Sequence, residues 1–270
     1  MIRKNNLTVF MVALFLARHT AYGQQLMDIN YSSSADRTTQ KAMFWAPESE
    51  GAKRPLVVAL HTWSGDYKQG YNSWIAKWCQ REGWVYIHPD FRGPNHRPEA
   101  TGSDLAVQDI VDAVTYAKAH ASVDDKAVFL VGASGGGHAA LLMAGRHPEL
   151  WAGVSSWVPI FDLSAWHAQG RYVADMEKSC GGAPGDRPEV DAQYRHRSPS
   201  AWLNPERHPP LHINAGIHDG HTGSVPIDHA LRAFNAVAMP RDRLTEEEIE
   251  YFVARQSVPP HLVKPLEDAT

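Results

Sequence analysis

Short apolar runs alternate with helical patterns along most of the chain. Each run is rich in Val, Ile and Leu, a pattern typical of strands that are buried on both faces of a sheet. Their alternation with helices predicts right-handed crossovers between parallel strands. The pattern therefore predicts an α/β fold, with a mainly parallel sheet and helices on both faces. The predicted strands cover residues 56–60, 84–87, 127–131, 151–158 and 211–213.

Three helices can be predicted together with their first residues. One covers residues 104–120 and has Ser103 in the position of an N-cap. A second begins after Ser134. A third begins after Thr245, and Glu248 lies three residues later, which is the spacing of a capping box. The acidic residues near Glu248 are then a solvated first turn that the helix dipole favours, rather than a metal site.

The stretch 164–205 differs from the rest because it has little regular pattern and is rich in Gly, Pro, Arg and Ser. We expect it to form an excursion over one end of the sheet, where substrate-facing loops usually lie. The chain shows no internal repeat and no linker that would separate two domains. We therefore predict one domain over residues 24–270.

The N-terminus has the pattern of a secretory signal peptide. Two basic residues precede an apolar run over residues 7–17, and the small residues Ala21 and Gly23 follow. This run is well short of the ~20 residues that a membrane-spanning helix requires. We predict a signal peptide over residues 1–23, a secreted or periplasmic protein, and no stable membrane insertion after cleavage.

Composition and charge narrow the classes of partner and cofactor. With 43% hydrophobic and 21% charged residues, the chain has the composition of an ordinary globular protein. Its formal net charge is −4 and no cluster of Lys and Arg is present, which excludes a nucleic-acid partner. Cys79 and Cys180 lack the spacing of a structural zinc site, and their pairing after export stays open. We expect no cofactor and no metal.

A candidate nucleophile lies between a predicted strand and a predicted helix. Residues 132–136 match the pattern G-x-S-x-G, with Ser134 at its centre. The strand 128–131 comes directly before and a helical pattern directly after, which is the arrangement of a nucleophile elbow. Small neighbours are needed there because the serine backbone is strained. The alternative is a Gly-rich turn that only packs a helix against a strand.

Two backbone N–H groups are candidates for an oxyanion hole. Gly135 lies at the N-terminus of the helix that follows the serine, where N–H groups and the helix dipole favour an anion. Trp63 follows the strand 56–60, at the position from which hydrolases with a nucleophile elbow supply the second N–H of the oxyanion hole. Trp63 as a core aromatic residue is the alternative.

A candidate acid follows the strand 211–213. Asp219 lies in the loop after this strand, as expected for the acid that orients a catalytic histidine when the chain order is Ser, Asp, His. Asp162, after the preceding strand, is the alternative acid. We prefer Asp219 because it follows the later of the two strands.

These passages resemble the catalytic domain of the prolyl oligopeptidase family, an α/β-hydrolase fold, over most of residues 55–238. The similar segments are REGWVYIHPDFRG from Arg81, GASGGGHAALLMAGRHPELWAGVSSWVPIFDL from Gly132 and INAGIHDGHTGSVPIDHALRAFNAV from Ile213. The resemblance implies a serine hydrolase that forms an acyl-enzyme, with Ser134 as nucleophile and Asp219 as acid.

Two departures from the family affect the expected substrate and base. Peptidases of this family usually carry a large N-terminal propeller, whereas esterases that act on acylated sugars or feruloylated polysaccharides share a bare domain. The substrate is therefore an ester or a peptide, including an acylated saccharide. The family also places its histidine in a Gly-His pair after one more strand, and the sequence after Ala238 offers only a helix and a Pro-rich segment before Thr270.

The catalytic histidine is therefore left open. His261 comes late enough in the chain but lacks a preceding strand, and His221 shares the loop of Asp219. Otherwise the C-terminal strand and the catalytic histidine are missing from this sequence, because the chain is truncated or because it is an inactive relic. His218 beside Asp219 and His221 suggests a metal site, but no third ligand at catalytic-zinc spacing follows.

Two function hypotheses remain. The first is an exported serine hydrolase that cleaves an ester or peptide bond. The second is a non-catalytic module that keeps the fold and binds a polysaccharide through surface aromatic residues such as Trp63, Trp157 and Trp166.

Overall fold

The computed structural model describes residues 25–48 and 51–263. The predicted signal peptide, residues 1–23, lies outside the described residues. The strands are β1 (Met27–Ser32), β2 (Thr39–Trp45), β3 (Arg54–Leu60), β4 (Val85–Pro89), β5 (Val123–Ala133), β6 (Gly153–Trp157) and β7 (Leu211–Asn214). The α-helices are α1 (Ser73–Glu82), α2 (Asp104–His120), α3 (Gly135–Arg146), α4 (Leu163–Ala168), α5 (Val173–Cys180), α6 (Pro188–Arg197), α7 (Ile227–Val237) and α8 (Glu246–Arg255).

The seven strands form one sheet in the order β1-β2-β4-β3-β5-β6-β7. Strands β3 to β7 pair in parallel with one another, whereas β1 and β2 are antiparallel. Each parallel pair requires a crossover, and the helices between the strands provide it. This confirms the predicted α/β architecture with a mainly parallel sheet.

The two N-terminal strands were not predicted from the apolar runs. In β1, Tyr31 is the one buried residue, and in β2 buried and exposed positions alternate. A strand that is covered on one face has this alternating pattern, and it contains no continuous apolar run. Neither strand therefore contains the continuous apolar run that predicts a strand buried on both faces.

Helices cover both faces of the sheet, as predicted. Residues of α2, α3 and α7 belong to the largest hydrophobic cluster, together with Leu56, Leu130 and Val154 of the strands. On the opposite face, α1 packs through Ile75 and Cys79 in a second cluster. The core is thus divided by the sheet into two layers.

The prediction that every strand is buried on both faces was wrong for the second half of the sheet. Along β5 from Val128 to Ala133, fully buried and partly exposed residues alternate, and along β6 they alternate again. The buried set faces α3. On the opposite face Phe129 and Val131 line an apolar groove of about 550 Å³ together with Trp78 and Trp84 of the α1 side.

The excursion 164–205 is more regular than its sequence suggested, because it contains α4, α5 and α6. These helices are short and form their own hydrophobic cluster. Its buried members include Leu163, Trp166, Met176, Val190 and Tyr194. The excursion is therefore a small helical layer with its own core.

The predicted helix starts are confirmed. Ser103 accepts the amide hydrogen of Ala106 at the start of α2. Thr245 and Glu248 form the complete capping box of α8. Among the described residues, no helix has both the length and the apolar character needed to cross a membrane.

The carboxyl ends of four neighbouring strands lie along one edge of the sheet. Leu60 of β3 pairs with Gly132 of β5, Ala133 pairs with Trp157 of β6, and Trp157 pairs with Asn214 of β7. The loops that follow these strands therefore meet above the same edge, which is where ligands bind in open α/β sheets. Ser134, Trp63 and Asp219 lie in these loops, and Gly135 begins the helix that follows β5.

Candidate active site

Ser134 lies at a sharp turn between β5 and α3. Its backbone has φ 56° and ψ −119°, outside the regions that a residue with a side chain normally adopts. Strained backbone of this kind persists only where the surroundings hold it. The Ser134 N–H donates to the carbonyl of Trp157 on β6, and its own carbonyl accepts from His138 in α3. The turn is thus fixed on both sides.

The glycines around Ser134 are needed because backbone approaches too closely for a side chain. A β-carbon on Gly136 would lie 2.6 Å from the carbonyl oxygen of Leu60, and one on Gly137 would lie 2.7 Å from that of Trp157. One on Gly132 would overlap with the Gly136 carbonyl. The pattern G-x-S-x-G therefore reflects close packing of a strand, a helix and the neighbouring loop.

The structure brings the two candidate oxyanion donors together. A β-carbon on Gly135 would lie 2.5 Å from the α-carbon of Trp63 and closer still to its amide nitrogen. Neither the Gly135 N–H nor the Trp63 N–H has a hydrogen-bond acceptor among the described residues. Two adjacent N–H groups without acceptors, next to a serine at a helix N-terminus, have the arrangement of an oxyanion hole.

The side chain of Trp63 is buried, as the core alternative predicted, so this residue can serve in packing and through its backbone. Its ring lies 4.8 Å from that of Trp166 and 6.0 Å from that of Tyr172, measured between centroids. Its indole N–H donates to Asp175 at 3.3 Å. The helical excursion is therefore anchored on the loop that carries the candidate donor.

Asp219 lies in the loop after β7, as predicted. One carboxylate oxygen accepts the Gly216 N–H at 2.6 Å, and the Asp219 carbonyl accepts the N–H of Ile227 at the start of α7. Gly216 leaves room for this contact, because a β-carbon there would lie 3.1 Å from the carboxylate. The loop thus fixes the position of the carboxylate and leaves its other oxygen without a protein partner among the described residues.

Asp162, the alternative acid, has a structural role. One of its oxygens accepts the Ala165 N–H and caps α4, and the other accepts the hydroxyl of Ser200 at 2.6 Å. Both oxygens are therefore occupied. The structure favours Asp219 over Asp162 for this reason.

Neither candidate histidine donates to Asp219. His221 bonds to the Val253 carbonyl at 2.7 Å, and His218 bonds to Gln256 at 2.9 Å, so both rings contact the C-terminal part of α8. The exposed ring of His261 is hydrogen-bonded to Glu248 at the other end of that helix. Among the residues that the structure describes, no histidine is hydrogen-bonded to the Asp219 carboxylate.

Two other histidines near the elbow are buried and neutral. Burial lowers the pKa of His138 to about 4, and this ring bonds to the Arg197 carbonyl at 2.8 Å. Burial also lowers the pKa of His229, which accepts the Phe161 N–H and bonds to Gln169. Both rings contact the helical excursion or its flanking backbone, so they serve in packing between these segments.

The predicted aromatic binding surface is largely absent. Trp63 and Trp166 are buried, at 2% and 0% exposure, and Trp157 is exposed at 45%. Tyr71 and Trp74 are exposed beside Trp157, and together they line a small cavity of about 130 Å³ next to Gly132 and Ala133 of the elbow. The exposed aromatic residues therefore lie on the α1 side of the serine.

Neither a metal-binding cluster nor a cysteine is found at the candidate site among the described residues. Within residues 25–48 and 51–263, no group of three or more His, Cys, Asp or Glu residues is placed to hold a metal ion. Cys79 is buried under α1 and Cys180 within the helical excursion, both as free thiols. They belong to separate hydrophobic clusters, so the open question of their pairing is settled against a disulfide in this fold.

The sequence did not indicate which side chains hold the loop after β3, which carries the candidate donor Trp63. His61, Gln69 and Asn95 all bond to the backbone around Trp63. His61 directly precedes the loop, and Asn95 follows β4 in the segment PDFRGPN, but neither position carries a local pattern that indicates such bonds. Their role depends on contacts that cross between strands.

The sheet order, the elbow and the position of the acid loop define an α/β-hydrolase fold. The chain belongs to the prolyl oligopeptidase family, whose profile matches residues 70–253, more than half of the chain. This confirms the resemblance noted in the sequence. No curated protein matches the chain.

Solved structures of similar fold support the same architecture. The acylaminoacyl peptidase of Pyrococcus horikoshii is 18% identical, with a TM-score of 0.63 over 80% of this chain and 35% of that chain. Prolyl oligopeptidase B from Galerina marginata is 17% identical, with a TM-score of 0.65 over 85% of this chain and 36% of the Galerina chain. A puromycin hydrolase is 17% identical, with a TM-score of 0.64 over 79% and 33%. The chain thus spans about a third of the length of these relatives.

Proposed function

We propose that the protein is an exported serine hydrolase that cleaves an ester or peptide bond through an acyl-enzyme on Ser134. The observation that carries the proposal is the juxtaposition of a strained elbow serine with two neighbouring backbone N–H groups that have no acceptor in residues 25–48 and 51–263. A turn that only packs a helix against a strand would not require Trp63 to contact Gly135 so closely. Family membership supports the same reaction class.

In the proposed mechanism, the Ser134 hydroxyl attacks the carbonyl carbon of the substrate. The hydroxyl proton passes to a histidine that Asp219 orients, and the N–H groups of Gly135 and Trp63 stabilise the negative charge on the carbonyl oxygen. The leaving alcohol or amine takes the proton from the histidine, and the acyl group stays on Ser134. Water then attacks the acyl-enzyme while the histidine takes its proton, and the histidine returns that proton to the Ser134 oxygen as the acid product leaves.

The histidine is assigned to His221 or His261, with a histidine beyond the printed sequence as the alternative. His221 shares the loop of Asp219 and would need to exchange its bond to Val253 for one to the acid. His261 is held by Glu248 and would need a larger movement. Ester turnover by His221→Ala and His261→Ala variants separates these assignments, because loss of turnover in one variant alone identifies the base.

The substrate class is proposed as small esters or peptides, including acylated saccharides. The exposed ring of Tyr172 stacks at 5.3 Å on the buried ring of Trp166, which in turn packs against Trp63, so one accessible aromatic residue lies near the proposed oxyanion hole. An accessible aromatic ring favours an apolar or aromatic group on the substrate. Parallel assays with p-nitrophenyl esters, acyl-peptide anilides and an acetylated xylan oligosaccharide rank these substrates.

The test of the proposed chemistry is labelling by a fluorophosphonate probe. The folded protein should be labelled, and Ser134→Ala should not. Ser155→Ala is a matched control, because Ser155 lies on the neighbouring strand β6 and bonds to the indole of Trp157. Equal labelling of the natural protein and the Ser134→Ala variant would contradict the proposal.

Export is proposed from the N-terminal sequence. The expected location is the periplasm or the medium, with cleavage after Gly23. N-terminal sequencing of the protein isolated from that compartment checks this, and a mature protein that still begins at Met1 would contradict it.

A second candidate function is binding of a polysaccharide without catalysis. It is motivated by the exposed aromatic residues Tyr71, Trp74 and Trp157, and by the absence of a histidine bonded to Asp219 among the described residues. Saturable binding of an oligosaccharide that persists in Ser134→Ala and is lost in Trp157→Ala, without turnover of any ester, would favour it.

A further inference from the structure

The peptide unit between Thr62 and Trp63 carries the proposed oxyanion donor. In a trans peptide the C=O and the N–H point in opposite directions, so the direction of one fixes the direction of the other. Whatever holds the Thr62 carbonyl therefore also aims the Trp63 N–H. Gly135 packs against this unit, since a β-carbon there would lie 3.0 Å from the Thr62 carbonyl carbon.

The ring of His61 and the Gly65 N–H, which donates at 3.1 Å, both hold the Thr62 carbonyl. His61 is fully buried directly after β3, and its Nδ1 lies 2.8 Å from the Thr62 oxygen. The other ring nitrogen, Nε2, lies 2.9 Å from the carbonyl oxygen of Asp90 after β4. The ring also stacks on Phe91, with 3.9 Å between centroids and 13° between planes. Because burial lowers the pKa of His61 and a neutral ring carries one N–H, only one of the two carbonyls can accept a hydrogen bond from it, and the stacking on Phe91 fixes the plane of the ring.

Two further side chains hold the neighbouring peptide units of the same loop. Gln69 accepts the Thr62 N–H at 2.8 Å and its hydroxyl at 3.0 Å. Asn95 donates to the Trp63 carbonyl through its backbone at 2.9 Å and its side chain at 3.1 Å. Three consecutive peptide units are therefore held, and the middle one, held by the side chain of His61 and by the Gly65 N–H, is the one that carries the donor.

We propose that His61 is a positioning residue, which aims the Trp63 N–H at the oxyanion by donating from Nδ1 to the Thr62 carbonyl. The inference rests on the proposed function, because it presupposes acyl transfer at Ser134. His61 does not touch the substrate. It acts through the peptide unit, so its loss lowers the rate of the chemical step and leaves the binding of the reagent nearly unchanged.

The test uses variants that keep one ring contact at a time. In His61→Asn the amide nitrogen occupies the position of Nδ1 and preserves the donor to Thr62. In His61→Gln the amide nitrogen occupies the position of Nε2 and preserves only the contact to Asp90. The readout is fluorophosphonate labelling, resolved into the maximal rate of inactivation and the half-saturating concentration, with thermal unfolding measured on each variant.

The inactivation rate of His61→Gln should fall at least about tenfold, short of the ~10²–10³-fold loss for removal of a whole oxyanion donor. His61→Asn should stay within about threefold of the natural protein, and the half-saturating concentration should change little in either variant. His88→Asn is the matched control, because His88 is equally buried but bonds to Ala59 within the sheet. It should lower the unfolding temperature without lowering the rate.

Each outcome has a distinct meaning. Equal losses in His61→Asn and His61→Gln, or no loss in either, would overturn the positioning role while leaving the proposed function intact. Labelling that is absent in the natural protein and in Ser134→Ala alike would overturn the proposed function itself, and the positioning role with it.

Discussion

Gly135 and Trp63 approach each other so closely that no side chain fits between them. A β-carbon on Gly135 would lie 2.5 Å from the Trp63 α-carbon. Gly135→Ala must therefore push the Trp63 loop away from the elbow and separate the two proposed oxyanion donors. We expect its fluorophosphonate labelling rate to fall about 10²-fold or more, comparable to the loss of an oxyanion donor.

Gly70→Ala is the matched control for this prediction. A β-carbon on Gly70 would meet no atom within 4 Å, and its backbone has an ordinary φ. This variant should label at the rate of the natural protein. Equal rates for Gly135→Ala and Gly70→Ala would show that the close approach has no part in the reaction.

A second prediction concerns the two candidate acids. Asp219→Asn keeps an oxygen for the Gly216 N–H but removes the charge that orients a catalytic histidine, so ester turnover should fall by about 10⁴-fold. Asp162→Asn keeps an oxygen for the α4 cap and should leave turnover within about threefold, since Asn and Asp cap helices about equally well. Steady-state kinetics on both variants test this. The reverse order of effects would transfer the role of the acid to Asp162.

A third prediction concerns stability at acidic pH. Burial lowers the pKa of both His88 and His138 to about 4, whereas the unfolded rings titrate near their usual value. Between about pH 6.5 and pH 4 the unfolded chain therefore binds protons that the folded chain excludes, and the free energy of unfolding decreases as the pH falls. The expected loss is roughly 2 kcal/mol for each ring between pH 6.5 and pH 5.

Urea unfolding at several pH values measures this loss. His138→Gln keeps a donor for the Arg197 carbonyl but does not titrate, so its stability should depend less steeply on pH. A His120→Gln variant, altered at an exposed ring, should keep the slope of the natural protein. An unchanged slope in His138→Gln would contradict the assignment of a neutral buried ring.

A fourth prediction is that both thiols stay reduced and unreactive in the folded protein. Burial raises the pKa of Cys79 to about 12 and that of Cys180 to about 11, so little thiolate is present at neutral pH. A thiol reagent such as DTNB should react with the protein only in denaturant, and a reductant should not change the unfolding temperature. A mass spectrum that shows the loss of two hydrogens would contradict this.

The elbow, the α8 cap and the Asp219 loop could be predicted because their sequence pattern has a local physical cause. Ser134 is flanked by glycines that its close packing requires, and Thr245 and Glu248 cap α8 through bonds within four residues. Asp219 was located by its place after a strand. These features depend on neighbours in the chain, which a single sequence displays.

Other features depend on contacts between distant segments and could not be predicted. The contact of Trp63 with Gly135 joins loops that are 72 positions apart, and the bond of His61 to Asp90 joins two strands. The helices of the excursion bury few residues each, as Met176 in α5 illustrates, so their apolar pattern is too sparse to recognise. Apolar runs likewise gave no information on which faces of β5 and β6 are covered.

The unequal cover of the sheet implies that its strands differ in how easily they open. β7 has four residues, none fully buried, and pairs with one strand, whereas β3 has five buried residues and pairs on both edges. Amide hydrogens along β7 should therefore exchange with solvent through local opening, and those of β3 only through global unfolding. The proposed nucleophile thus follows a strand at the protected centre of the sheet, whereas the Asp219 loop follows an edge strand that opens more easily.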